Sequence, residues 1–145
     1  MKGQGVELLA DLDGLAVMGL AEVLPRLPFL YRLRRRLISL LDTGVVDLVI
    51  PVDFAGFNLR IARAAHRRGL PVLYYIAPKV WAWGASRVKK LAAYTNQLAL
   101  ILPFEAGPLV SAGANATFVG HPLLETPAAE PDRLAFCRRW ILDAQ

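Results

Sequence analysis

Three short stretches of this chain carry side chains suited to chemistry, and each follows an apolar run directly. The first is Val52-Asp53-Phe54-Ala55-Gly56-Phe57-Asn58. A carboxylate at the end of a strand can act as general base on an incoming hydroxyl, and it can equally cap the helix that follows. Asn58 either holds a ligand hydroxyl or pins the turn. The second stretch places Trp81 and Trp83 two residues apart after Pro78, followed by Arg87, Lys89 and Lys90. Indole faces stack on sugars, line acyl chains or fill a core. Cations in the first turns of a helix run against its dipole, which favours anions at that end. Basic residues placed there suggest phosphate binding, with a solvated face as the alternative. The third is Gly120-His121-Pro122, a histidine held in a constrained turn.

Other candidates are read as structural. His66 falls on the exposed side of a basic helix, and Cys137 has no neighbouring histidine to activate it. Glu105 opens a helix, where the dipole alone accounts for an acid. There is no Gly-x-Gly-x-x-Gly or P-loop pattern and no metal-ligand spacing, so neither a dinucleotide, a cofactor nor a metal is expected.

The elements that must position these residues follow from hydrophobic periodicity. A short strand is predicted over 6–10, a helix over 14–24, and a second helix from residue 29 to a glycine cap at Gly44. The β-branched run over 45–52 predicts a strand buried on both faces. A basic amphipathic helix follows over 56–68, with Leu59, Ile61, Ala62 and Ala65 inward. Strands over 71–76, 97–102 and 116–119 alternate with helices over 86–94 and 104–112. That order defines an α/β fold with a doubly wound, Rossmann-like parallel sheet. Ligands of such sheets bind beyond the carboxyl ends of the strands, which is where all three stretches fall. Residues 1–125 read as one domain, 126–131 as a linker, and 132–145 as the start of a second domain or a helix packing back.

Composition narrows the partners. The chain has 145 residues, 55% of them hydrophobic, and a net charge of +5 from 17 basic and 12 acidic side chains. Its mean hydropathy is +0.39, yet no apolar run approaches the ~18 residues of a membrane span. The surplus is concentrated in Val17, Met18, Leu20, Val23, Leu24, Leu27, Phe29, Leu30 and Tyr31, with arginines immediately after. Apolar side chains dipping into a headgroup boundary beside cations make an interfacial anchor. The alternative is a helix pair packed on the sheet or on a further domain. A single cysteine permits no internal disulfide and fits a reducing compartment, so the cytoplasm is the expected location.

Several motifs together resemble the lipid-A-disaccharide synthase family. They are Leu15-Ala16-Val17-Met18-Gly19, the Asp53 stretch, Tyr75-Ile76-Ala77-Pro78-Lys79-Val80-Trp81-Ala82-Trp83, Leu102-Pro103-Phe104-Glu105 and Val119-Gly120-His121-Pro122. The family pattern usually has proline where Ala55 stands and often serine where Ala77 stands. The resemblance implies the acceptor-side, N-terminal half of an inverting GT-B glycosyltransferase, incomplete at its amino end and without the half that binds the UDP-sugar. It further implies that 2,3-diacylglucosamine passes from its UDP derivative to 2,3-diacylglucosamine 1-phosphate. A β-1,6 bond forms and UDP is released, without a metal. Asp53 would be the general base. Asn58, Trp81, Trp83, Arg87, Gly120 and His121 would line the acceptor cleft. The 17–31 patch would rest on the anionic inner membrane as a peripheral contact, and the chain alone would be inactive.

Two other function classes draw on the same residues. A non-catalytic, membrane-associated lipid-binding module would keep the apolar patch and dispense with Asp53. A nucleic-acid-binding domain would use the basic residues, but these lie on separate helices without a recognition motif.

Overall fold

The computed structural model describes residues 5–10, 26–79 and 85–124, with backbone only for 85–87. The expected helix over 14–24, the indoles of Trp81 and Trp83, the side chain of Arg87, the patch residues Val17, Met18, Leu20, Val23 and Leu24, and everything after Leu124 lie outside that set.

Helix α1 runs Leu27–Leu41, two residues ahead of the expected start. Pro28 falls in its first turn, where the missing N–H would be unpaired in any helix and the fixed φ suits entry. The proline therefore opens the helix, which the apolar pattern alone starts at residue 29. Helix α2, Ala55–His66, buries Ile61, Ala62 and Ala65 and turns its arginines outward, as its periodicity requires. Gly69, at φ +74°, ends the turn that follows.

Strand β1 is Leu73–Tyr75, α3 is Ala85–Tyr94, and β2 is Gln97–Leu100. A 3-10 turn, Pro103–Glu105, leads into α4, Ala106–Ser111; β3 is Ala116–Phe118, and a second 3-10 turn spans Pro122–Leu124. The three strands form one sheet in the order β1-β2-β3, parallel throughout. This is the parallel α/β architecture that the alternation predicted.

The 45–52 run joins that sheet through parallel bridges Val49 to Val72 and Val52 to Tyr75, and is its outermost member among the described residues. Its backbone pairs with β1, with Leu73 and Tyr75 donating to the carbonyls of Val49 and Pro51. It is not buried on both faces. Leu48, Ile50 and Val52 are each about half exposed (47%, 52% and 46%), while the alternate Val49 and Pro51 are better covered. A β-branched run suits an edge as well as a centre, so its composition could not separate the two. The predicted strand over 6–10 is an irregular segment; Leu9 accepts a hydrogen bond from Arg36 at 3.0 Å.

One face of the sheet carries the core. Tyr74, Leu98 and Leu100 are fully buried there with Leu91 of α3 and Leu109 of α4, and Leu59 of α2 packs against them. A second cluster continues on the same face, joining Leu41 of α1, Ala62 and Ala65 of α2, and Val72. Removing side chains of this size from water, at ~25 cal/mol per Å2 of apolar surface, is the main force holding the helices down.

Candidate active site at the carboxyl edge

Because every strand is parallel, the residues that follow each one emerge on the same edge. Asp53 follows the outermost segment, Ile76 to Lys79 follow β1, Ile101 and Leu102 follow β2, and Gly120 and His121 follow β3. A cavity of about 250 Å3 lies at this edge, lined by Asp53, Ile76, Lys79, Ile101, Leu102 and Glu105 among others.

The backbone that presents Asp53 is unusual. Asp53 and Phe54 both adopt positive φ, +46° and +44°, and Ile76 on the adjacent strand does so at +57°. Non-glycine residues rarely take this conformation, at a cost of roughly 1–3 kcal/mol each, and such strain gathers at functional sites. Here it is held by a ring of hydrogen bonds around one peptide. The Asp53 amide donates to the Tyr75 carbonyl at 3.1 Å. The Asp53 carbonyl accepts from the Tyr74 hydroxyl at 2.8 Å and from Asn58 Nδ2 at 2.8 Å. Asn58 Nδ2 also reaches the Val52 carbonyl at 2.9 Å.

These bonds decide two alternatives left open by the sequence. Asn58 pins the turn: its amide donors serve the backbone on both sides of the Val52–Asp53 peptide bond. Asp53 does not cap α2. The cap position belongs to Phe54, whose carbonyl accepts from the Phe57 and Asn58 amides, and no side chain closes this helix end. The Asp53 side chain is thus left for the cavity it lines.

Tyr74 supports the turn through the Asp53 main-chain carbonyl. Burial pushes its phenol well above the ordinary tyrosine value, and the nearby negative charge of Asp53 pushes in the same direction. The folded state therefore favours the protonated phenol. Its contribution is intact below the unfolded value of about 10 and is lost as pH rises beyond that. Tyr74→Phe is expected to lower stability by about 1 kcal/mol at neutral pH, through the lost bond to Asp53. It should also flatten the decline of stability above pH ~10. Urea melts of both proteins at pH 7 and pH 10.5 check both effects, and a decline equally steep in the variant would contradict the assignment.

His121 shares the edge but not the cavity lining. It lies three strand positions from Asp53, roughly 14 Å across the sheet at about 4.8 Å per strand. Its Nδ1 accepts from the Leu123 amide at 3.2 Å and its carbonyl accepts from the Leu124 amide at 2.9 Å, so it organises the turn after β3. With Nδ1 accepting, the neutral ring carries its proton on Nε2, a donor. Gly120, at φ +89°, supplies the backbone reversal that a side chain would resist.

Two charged lining residues, Glu105 and Lys79, are not among the site residues that the sequence suggests, Glu105 reading there as a helix-start acid. Glu105 is only 4% exposed although charged, and Lys79 lines the same cavity from the end of a different strand. The signal for both was positional: each follows a strand by a few residues, at the ligand-bearing edge.

A parallel α/β sheet with a strained acidic turn and a cavity at its carboxyl edge defines a Rossmann-like domain. The comparisons place it more closely. The family model for lipid-A-disaccharide synthetase, LpxB, matches residues 1–145. The lipid-A-disaccharide synthase of Geobacter metallireducens is 42% identical over 125 residues, covering 86% of this chain and 33% of the relative. That of Syntrophus aciditrophicus is 41% identical over 133 residues, covering 92% and 35%, and that of Syntrophotalea carbinolica 42% identical over 144, covering 99% and 37%. The chain belongs to the lipid-A-disaccharide synthase family. It spans about a third of the length of these curated relatives.

Proposed function

We propose that this chain is the acceptor-side part of a glycosyltransferase of lipid A assembly, and that Asp53 is its general base. The reading takes its chemistry from the family and its geometry from one observation. Asp53 is held in a strained turn, is not used as a helix cap, and lines the cavity at the carboxyl edge.

In this reading the Asp53 carboxylate takes the proton of the 6-hydroxyl of 2,3-diacylglucosamine 1-phosphate. The freed oxygen attacks the anomeric carbon of UDP-2,3-diacylglucosamine from the face opposite the nucleotide. The bond from that carbon to the diphosphate breaks as the new one forms, so UDP leaves and the configuration inverts. Glu105 and Lys79 border the same cavity, the lysine offering a cation to an anionic acceptor. Trp81, Trp83 and Arg87 belong to the acceptor cleft in this assignment, and Gly120 and His121 to its far flank. Asn58 acts as a positioning residue through its grip on the turn.

Leu27 and Tyr31 are about half exposed on α1, and Phe29 and Leu30 are partly covered. With the apolar residues before them they form the membrane contact, at the cytoplasmic surface of the inner membrane. Among the described residues no helix is long and apolar enough to cross a membrane.

The test is a transfer assay with both substrates. A version extended to the relatives' length is expected to form disaccharide and release UDP, while the 145 residues alone are expected to be inactive. Turnover by the short chain would overturn the division of labour. Full activity without Asp53 would overturn the assignment of the base.

A further inference from the structure

We infer that the groove between α1 and α2 binds a single acylated phosphate, with an acyl chain along its apolar half and the phosphate on Arg34 and Arg60. This deepens the functional reading above and rests on it for the identity of the natural lipid.

Two adjoining cavities share these two arginines. One, of about 380 Å3, is walled by Leu27, Leu30 and Tyr31 of α1 and by Phe54 and Phe57 at the start of α2. Phe54 and Phe57 stack with ring centres 5.7 Å apart, forming a firm aromatic floor. The other, of about 440 Å3, is lined by Arg34, Arg60, Arg63 and Arg67. On α2 the last three recur at spacings of three and four, so they share one helical face.

Nothing within the described residues neutralises this cluster. Arg68 at the far end pairs with Asp42 at 2.7 Å, but no described carboxylate forms an ion pair with Arg34, Arg60, Arg63 or Arg67. Arg34 stands where the apolar and cationic halves meet. Its guanidinium lies over the Tyr31 ring at 5.2 Å, and its Nε is buried without a hydrogen-bond acceptor. A buried charged donor without an acceptor is costly, and a phosphate oxygen is the acceptor best matched to a guanidinium. An apolar channel ending at a half-buried arginine that no described carboxylate pairs, beside three more such arginines, calls for a ligand that is greasy at one end and dianionic at the other. Phe54, the residue after Asp53, lies in the apolar half of the groove.

The test uses the 145-residue chain with dioctanoyl phosphatidic acid below its micelle concentration, followed by calorimetry. The comparison ligands are dioctanoyl phosphatidylcholine and inorganic phosphate. Phosphatidic acid is expected to bind at least tenfold more tightly than either. Arg34→Met and Leu30→Asp should each weaken it about tenfold or more. Arg34→Met should melt no lower than the parent, because it deletes an unanswered donor while keeping the stem, and this separates loss of binding from loss of fold.

Equal binding of phosphatidylcholine, equal binding of phosphate, or unchanged affinity in Arg34→Met would each overturn the proposal. Equally tight binding of a short single-stranded RNA would overturn it in favour of a general polyanion surface. In the extended enzyme, an unchanged KM for the acylated acceptor in Arg34→Met removes the groove and leaves Asp53 untouched. Arg34-dependent lipid binding without glycosyl transfer removes the enzyme reading and leaves the groove.

Discussion

Asp53→Asn, in a version of the protein extended to the relatives' length, is expected to lower kcat by about 10²–10⁴, the usual range for loss of a positioned general base. KM for either substrate should change little, since the amide has nearly the shape of the carboxylate. Asparagine is the right replacement on backbone grounds as well. Residue 53 sits at φ +46°, and asparagine tolerates the left-handed region far better than alanine. The four hydrogen bonds that gather at the Val52–Asp53 turn use main-chain atoms of these two residues, so they survive the exchange. A thermal melt that matches the parent, together with a collapsed rate, gives the base its role. A rate within threefold of the parent would remove it, and the lipid-binding-module reading would then account better for the chain.

Leu100→Ala should produce the largest loss of stability, about 2–5 kcal/mol. Leu100 is fully buried at the end of β2, in the cluster that joins the sheet to α3 and α4. Its carbonyl also accepts from the Val119 amide at 2.9 Å, tying β3 to the sheet just before the Gly120-His121 turn. The exchange removes three carbons and leaves a void that neighbours on two helices and a strand cannot all fill. For a domain whose total stability lies near 5–15 kcal/mol, that corresponds to a drop in Tm on the order of 10 °C. Differential scanning calorimetry measures it directly. A shift below about 2 °C would mean that the core relaxes around the gap, contrary to the close packing inferred here.

Much of this organisation was legible in the sequence because it rests on local rules. The alternating apolar runs and amphipathic helices predicted a parallel sheet, and the periodicity of α2 separated Ile61, Ala62 and Ala65 from the arginines correctly. The placement of Asp53 at the carboxyl edge followed from the same reasoning. What escaped depended on contacts between distant segments. The edge position of residues 45–52 depends on which strand pairs with which, and a β-branched run does not encode that. Pro28 has the same ring whether it opens a helix or breaks one, and only the neighbouring chain decides. Asn58 was ambiguous because its partners, the carbonyls of Val52 and Asp53, are brought to it by the left-handed turn. Glu105 was explained too cheaply by its position at a helix start, when its burial beside the Asp53 cavity is the more informative property.

The three left-handed residues at the edge are linked in a way that reaches beyond their own energies. The Asp53 amide is anchored to the carbonyl of Tyr75 on the next strand, and the Ile76 amide to that of Ala99 on the one after. Each bend is therefore braced by its neighbour across the sheet, like successive steps of one stair. Loosening β2 should release Ile76 first and Asp53 with it, so these two amides are expected to exchange hydrogen for deuterium at a common rate as one cooperative unit. The acid's aim would then be governed by the integrity of the middle of the sheet.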